Sequence, residues 1–172
     1  MFAGSTAERL LAGSQTPVGI APPGLRNRDL GGHLHFGVAY VDTPDGQAAL
    51  ALAVQFAARV GASLTLYTVL AEEARAVLPV IGRDAEHAFV ETAREVYQQS
   101  LDTAIAGLPD GVPATGELLT GDVVQVLADV DAVDILFCGS RGYGPARRVL
   151  LGGVSSRLVR QARSPVFVVP RG

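Results

Sequence analysis

The sequence predicts an α/β fold built on a parallel, doubly wound sheet. Three observations carry that expectation. Short apolar runs of strand character alternate with helically periodic stretches from residue 36 onward. Gly, Pro and Asp clusters punctuate the ends of those runs. The chain has 172 residues, 48% of them apolar, which is about one domain and enough for a real core.

Taken in order, residues 1–24 read as a short helix followed by a strand at 18–21, and residues 25–35 read as a Gly- and Arg-containing linker. The main domain is expected over residues 36–172. Residues 36–41 form an apolar run that ends at Asp42-Thr43-Pro44-Asp45-Gly46, and read as its first strand. A helix follows over 47–60, with Leu50, Val54, Ala57 and Gly61 on one face. Residues 63–70 are the second strand, and 71–83 are irregular. A long helix spans 84–106 with Phe89, Ala93, Val96, Tyr97, Leu101 and Ala104 turned inward. Residues 115–120 are a short strand, and Gly121-Asp122 turns into a helix carrying Val123, Val126, Leu127 and Val130. Residues 135–139 are the fourth strand, 140–153 a loop and 155–163 the last helix. Pro165 stops that helix ahead of a final strand at 166–169.

Composition removes several functions. Aromatic residues make up 6% of the chain and Trp is absent, which disfavours base-stacking recognition of single-stranded nucleic acid. The formal net charge of −3 points the same way. No apolar run approaches the roughly 18 residues of a membrane span, and no signal-peptide pattern opens the chain. The single cysteine, Cys138, lies in the fourth strand and reads as an inert core thiol. A cytoplasmic location is the expectation. All 14 basic residues are Arg, so Schiff-base catalysis, Ser–Lys dyads and the P-loop lysine are excluded. His33 and His35 are two residues apart without a third ligand and read as a solvated linker pair; no metal or catalytic role is assigned.

Gly139, Gly142 and Gly152 stand in a G-x2-G-x9-G frame that follows the fourth strand and reaches the start of the last helix. Glycines let a backbone pass close to a ligand, and a helix N-terminus offers free N–H groups to an anion. This is the arrangement of a phosphate site. Charge agrees with it: residues 135–172 hold seven Arg and no acid, whereas residues 1–134 hold seven Arg against all 17 acids, so a −10 body carries a +7 tail. Arg141, Arg147 and Arg148 lie in the loop itself, and direct phosphate contact and a solvated basic loop weigh equally for them. Neither a Walker A nor a G-x-G-x-x-G spacing is present. Asp42 sits at the carboxyl end of the first strand, where open α/β sheets place ligand groups; it can accept from a ribose hydroxyl or shape the turn into the next helix.

An echo runs through the chain at an offset of 148 residues. Gly4, Arg9, Leu10, Pro17, Val18, Pro22 and Gly24 match Gly152, Arg157, Leu158, Pro165, Val166, Pro170 and Gly172 without a gap. The N-terminal segment thus reads as a second copy of the domain's own tail.

Over residues 34–172, and again partially over 3–24, the chain resembles the universal stress protein family. The resemblance rests on Gly139-Ser140-Arg141-Gly142, the nine residues to Gly152, and Val154-Ser155, with Val41-Asp42 and Gly121-Asp122 in support. It implies the C-terminal domain of a tandem member, with a five-stranded parallel sheet in the order 3-2-1-4-5 and two helices on each face. It also implies ATP, with Mg²⁺, as the ligand. By position, Asp42 would hold the ribose or adenine end and Val69 would offer backbone to adenine. Gly139, Arg141 and Gly142 would meet ribose and α-phosphate, and Gly152, Gly153, Val154 and Ser155 would cradle the phosphates. The family pattern has Ser or Thr after the third glycine, and this chain has Gly153, which removes one phosphate-facing hydroxyl. The implied role is a stress-response sensor or regulator rather than a dedicated enzyme, with slow ATP hydrolysis or autophosphorylation as the most it would do. The alternative is a dimeric interaction module that binds no nucleotide. A nucleotidyl-transfer enzyme would want H-x-G-H after the first strand, where Asp42-Thr43-Pro44-Asp45 stands instead. The resemblance further implies a homodimer joined through the last strand, by Val166 and Val168. The echo strand, with Val18 and Ile20, is expected to lie antiparallel on such an edge, within the chain or on a partner.

Overall fold

Five parallel strands form the centre of the protein, in the expected order, and a sixth strand lies antiparallel on one edge. The computed structural model describes residues 14–25, 32–71, 83–140 and 153–170. Its elements are β1 (Val18–Ile20), β2 (His35–Ala39), α1 (Pro44–Val60), β3 (Ser63–Ala71), α2 (Arg83–Ala106), β4 (Ala114–Gly121), α3 (Val123–Ala128), β5 (Ile135–Gly139), α4 (Gly153–Gln161) and β6 (Val166–Val169). The sheet order is β1-β6-β5-β2-β3-β4. All neighbours are parallel except β1 and β6. The short helix read before β1 lies outside the described residues.

Alternation along the strands divides the core in two. Phe36, Val38, Leu64, Leu66 and Phe137 face α1 and α2, where they meet Ala49, Ala53, Ala57 and Leu101. Ala39, Tyr67, Val69, Leu136, Cys138, Val166 and Val168 face α3 and α4 and meet Leu127, Ala128 and Leu158. A period of two places successive side chains on opposite faces, and two covered faces explain why β3 is buried at every position but its two ends.

Local chemistry shifts several boundaries. Helix α1 begins at Pro44, three residues before the expected start, because the Thr43 hydroxyl caps it by accepting from the Gly46 N–H (3.1 Å) and Pro44 fits the first turn. Asp122 caps α3 in the same way, accepting from the Gln125 N–H (2.9 Å). Helix α4 starts at Gly153 and ends at Gln161, two residues earlier at each end than expected. Along α2 the inward stripe is Val90, Ala93, Tyr97, Leu101 and Ala104, while Phe89 and Val96 are exposed. His35 belongs to β2 rather than to a linker. Its ring nitrogens bond the hydroxyls of Ser63 (2.7 Å) and Thr65 (3.0 Å), so it is not part of a solvated pair. Among the described residues no group of three or more His, Cys, Asp or Glu could hold a metal ion. Among the same residues no helix is long and apolar enough to cross a membrane.

Candidate functional site

From β2 the chain builds outward through β3 to β4, then returns to the other side of β2 to lay down β5 and β6. The direction of building reverses between β2 and β5, and an open α/β sheet of this order leaves its ligand crevice beyond the carboxyl ends of those two strands. The residues singled out by the sequence converge there. Asp42 follows β2, Gly139 ends β5, and Gly153, Val154 and Ser155 open α4. Arg141, Gly142 and Gly152, like Arg147 and Arg148, lie outside the described residues.

Asp42 is exposed at the crevice rim, and the Gln47 side-chain amide donates to its Oδ1 (2.8 Å). Next to it is a residue that sequence reasoning did not select. Tyr40 is buried; burial first, and the Asp42 charge second, hold its phenol pKa above the usual value. Asp42 is therefore tied to Gln47 and lies near enough to Tyr40 for its charge to act on the phenol.

Val69 stands one strand over. The last rung between β2 and β3 runs from the Tyr40 N–H to the Tyr67 carbonyl (2.8 Å). The Tyr40 carbonyl then accepts the Thr68 hydroxyl (2.8 Å). Val69 lies two residues beyond Tyr67, so its backbone groups point along the same edge, past the end of β2. Its side chain is buried against α3 and α4. It thus offers main chain and not side chain to the crevice.

The floor between β2 and β5 is set by close backbone contact. A Cβ on Gly139 would stand 2.8 Å from both the Cβ and the carbonyl oxygen of Asp45, and a Cβ on Gly46 would collide with the Val41 carbonyl oxygen. Gly139 is thus required by the approach of α1, whatever it does for a ligand. The buried Asp45 accepts from the Ser140 hydroxyl (3.2 Å), the Ser140 N–H donates to Val169 (2.8 Å), and the Ser155 hydroxyl donates to the Ser140 carbonyl (3.2 Å). Ser140 therefore joins α1, β6 and the first turn of α4. Ser155 is buried and its hydroxyl serves this junction. Gly153 is exposed, and a Cβ there would meet nothing within 4 Å. Thr43 and Pro44, a cap followed by a helix-starting proline, were the available signal for α1's early start; no local signal marks Tyr40, and the motif that contains Ser140 does not disclose its bonds to Asp45 and Ser155.

Cys138 takes no part in the crevice. It is buried in β5, and burial pushes its thiol up to about 12. The α4 arginines are exposed: Arg157 lies 4.0 Å from Asp122, and just past α4 Arg163 bonds Asp131 (3.0 Å).

Comparison with known proteins agrees with this architecture. A family model described as the universal stress protein family matches residues 34–170. A universal stress protein of Mycobacterium tuberculosis is 39% identical over 89 residues; the match covers 49% of this chain and 28% of that protein. The chain thus spans well under two thirds of that relative. A universal stress protein structure from Archaeoglobus fulgidus superimposes with a TM-score of 0.61 at 22% identity, covering 99% of this chain and 55% of that one. A universal stress protein solved in complex with cAMP superimposes with a TM-score of 0.51 at 20% identity, covering 82% of this chain and all of that one.

Proposed function

Since the chain belongs to the universal stress protein family, we propose that it binds an adenine nucleotide, ATP with Mg²⁺, in the crevice between β2 and β5, and works as a cytoplasmic stress-response sensor or regulator. One observation carries this reading. Asp42, the main-chain edge at Val69, the end of β5 and the first turn of α4 meet at the switch point of the sheet, where α/β folds hold nucleotides. Asp42 would accept from ribose hydroxyls. Val69 would meet the adenine edge through its backbone. The start of α4 would face the phosphates with main-chain N–H groups. The cAMP complex supports the reading as a relative of the same fold with an adenine nucleotide bound.

The role we propose is binding-linked: ATP favours the conformation it contacts and shifts the population toward it. The second reading, an interaction module without nucleotide, draws on α4. Gly153 offers no hydroxyl and that of Ser155 is turned to Ser140.

Thermal denaturation with and without 1 mM ATP and Mg²⁺ separates the two. A ligand present at 100 times its Kd stabilises by about 2.7 kcal/mol, which raises the Tm of a chain this size by roughly 5–10 °C. Asp42→Ala should leave the unliganded Tm in place and remove the shift. No shift in the unaltered chain would exclude the nucleotide reading.

A further inference from the structure

We infer that the outer edge of β6 is a docking site for a strand of β6's own kind that carries glycine at its centre. β1 is that strand, and Phe167 keeps β6 from pairing with itself. The inference rests on register and packing and is independent of nucleotide binding. β1 pairs with β6 as Val18 with Val168, Gly19 with Phe167 and Ile20 with Val166. The offset of 148 equates Val18 with Val166, Gly19 with Phe167 and Ile20 with Val168. Gly19 therefore pairs with its own counterpart, and Val18 and Ile20 each pair with the other's counterpart. The two copies of the tail meet about a local two-fold axis through the Gly19–Phe167 pair, the isologous geometry by which identical surfaces associate.

The axis is broken at its centre. A Cβ on Gly19 would lie 2.9 Å from Cζ, 3.1 Å from Cε2 and 3.2 Å from Cε1 of Phe167. That ring leans over the glycine and cannot swing inward, because it stacks on Phe137 (5.3 Å between centroids) and packs against Phe56 (5.6 Å). Val18 and Ile20 close the other side, against the cluster that holds Val166 and Val168. In a β6–β6 pair on this register each Phe167 ring would need the space of the other's Cβ. One glycine on one of the two strands removes the conflict. The bare edge that β6 would present is thereby filled by β1 and closed to a second β6.

Gly19→Phe in the full chain restores residue identity across the axis. Backbone amide exchange at Val18, Ile20, Val166 and Val168 should accelerate roughly tenfold or more, as a steric cost above about 1.4 kcal/mol requires, while amides of β2, β3 and β5 keep their protection. Gly19→Ala should give a smaller acceleration at the same four amides. Light scattering should show no β6-mediated dimer of Gly19→Phe across the micromolar range. Unchanged exchange in Gly19→Phe would overturn the role of the glycine. A Gly19→Phe dimer with β6 amides protected would overturn the exclusion of self-pairing.

Discussion

The two ends of the parallel sheet are built on opposite plans. At the amino end polar groups are spent on one another. His35 bonds Ser63 and Thr65, Thr65 bonds Thr115 (3.0 Å), and the His35 N–H donates to Asp134 (2.9 Å), whose own N–H donates back to the His35 carbonyl (2.7 Å). Four strand starts are tied there by side chains and main chain together. At the carboxyl end the ties run around a gap: Asp45 to Ser140, Ser140 to Ser155, and Asp42 to Gln47, with glycines where side chains would fill the space. One end fixes strand register, and the other ties the starts of α1 and α4 to the end of β5. On the proposed reading the amino end serves stability alone, while the carboxyl end serves stability through its glycine floor and ligand contact through its rim at Asp42, so a substitution at the amino end and one at the rim should separate these properties.

The largest effect is expected where the crevice floor is tightest. Gly46→Ala and Gly139→Ala each place a methyl group against backbone, which cannot turn aside. Each should lower the urea-unfolding free energy by about 3 kcal/mol or more. A smaller loss would show that α1 can slide on β5. His35→Ala acts at the other end. It removes two hydroxyl partners and should cost about 1–3 kcal/mol, while any ATP-induced Tm shift is retained. If His35→Ala weakened that shift as strongly as Asp42→Ala, the division between the ends would fail.

What the sequence disclosed follows the range of the interactions involved. β5 and β6 match expectation residue for residue, because Asp134, Gly139, Pro165 and Pro170 punctuate short apolar runs. The frame of Gly139, Gly142 and Gly152 and the carboxylate at Asp42 stand out through spacing, which is local in the chain. The partners of His35 lie 28, 30 and 99 residues away, and its role as a tether is invisible to pattern. Gly139 was read for what it permits a ligand, yet its tightest constraint is Asp45, far off in sequence. The α2 stripe was misread because Phe89 and Val96 are as apolar as Val90, and only packing against β3 and β4 decides which faces inward.

The finest test lies at Gly153. On α4 the family's phosphate-facing hydroxyl is absent, and the nearest substitute, Ser155, is buried and donates to Ser140. Gly153 is exposed with open space around a Cβ, so Gly153→Ser adds a hydroxyl without displacing anything. Unliganded stability should change by less than about 0.5 kcal/mol, as for an ordinary surface substitution. A neutral hydrogen bond contributes about 0.5–1.5 kcal/mol, so calorimetric titration should give an ATP Kd lower by roughly 2- to 10-fold. The gain should be smaller for adenosine, which has no phosphate for the hydroxyl to meet. An equal gain for adenosine would place the hydroxyl against the nucleoside, and no gain for either would move the phosphates away from α4. Any of the three results would locate the triphosphate relative to the first turn of α4, which is the part of the crevice where the carboxyl end departs furthest from the closed network around His35.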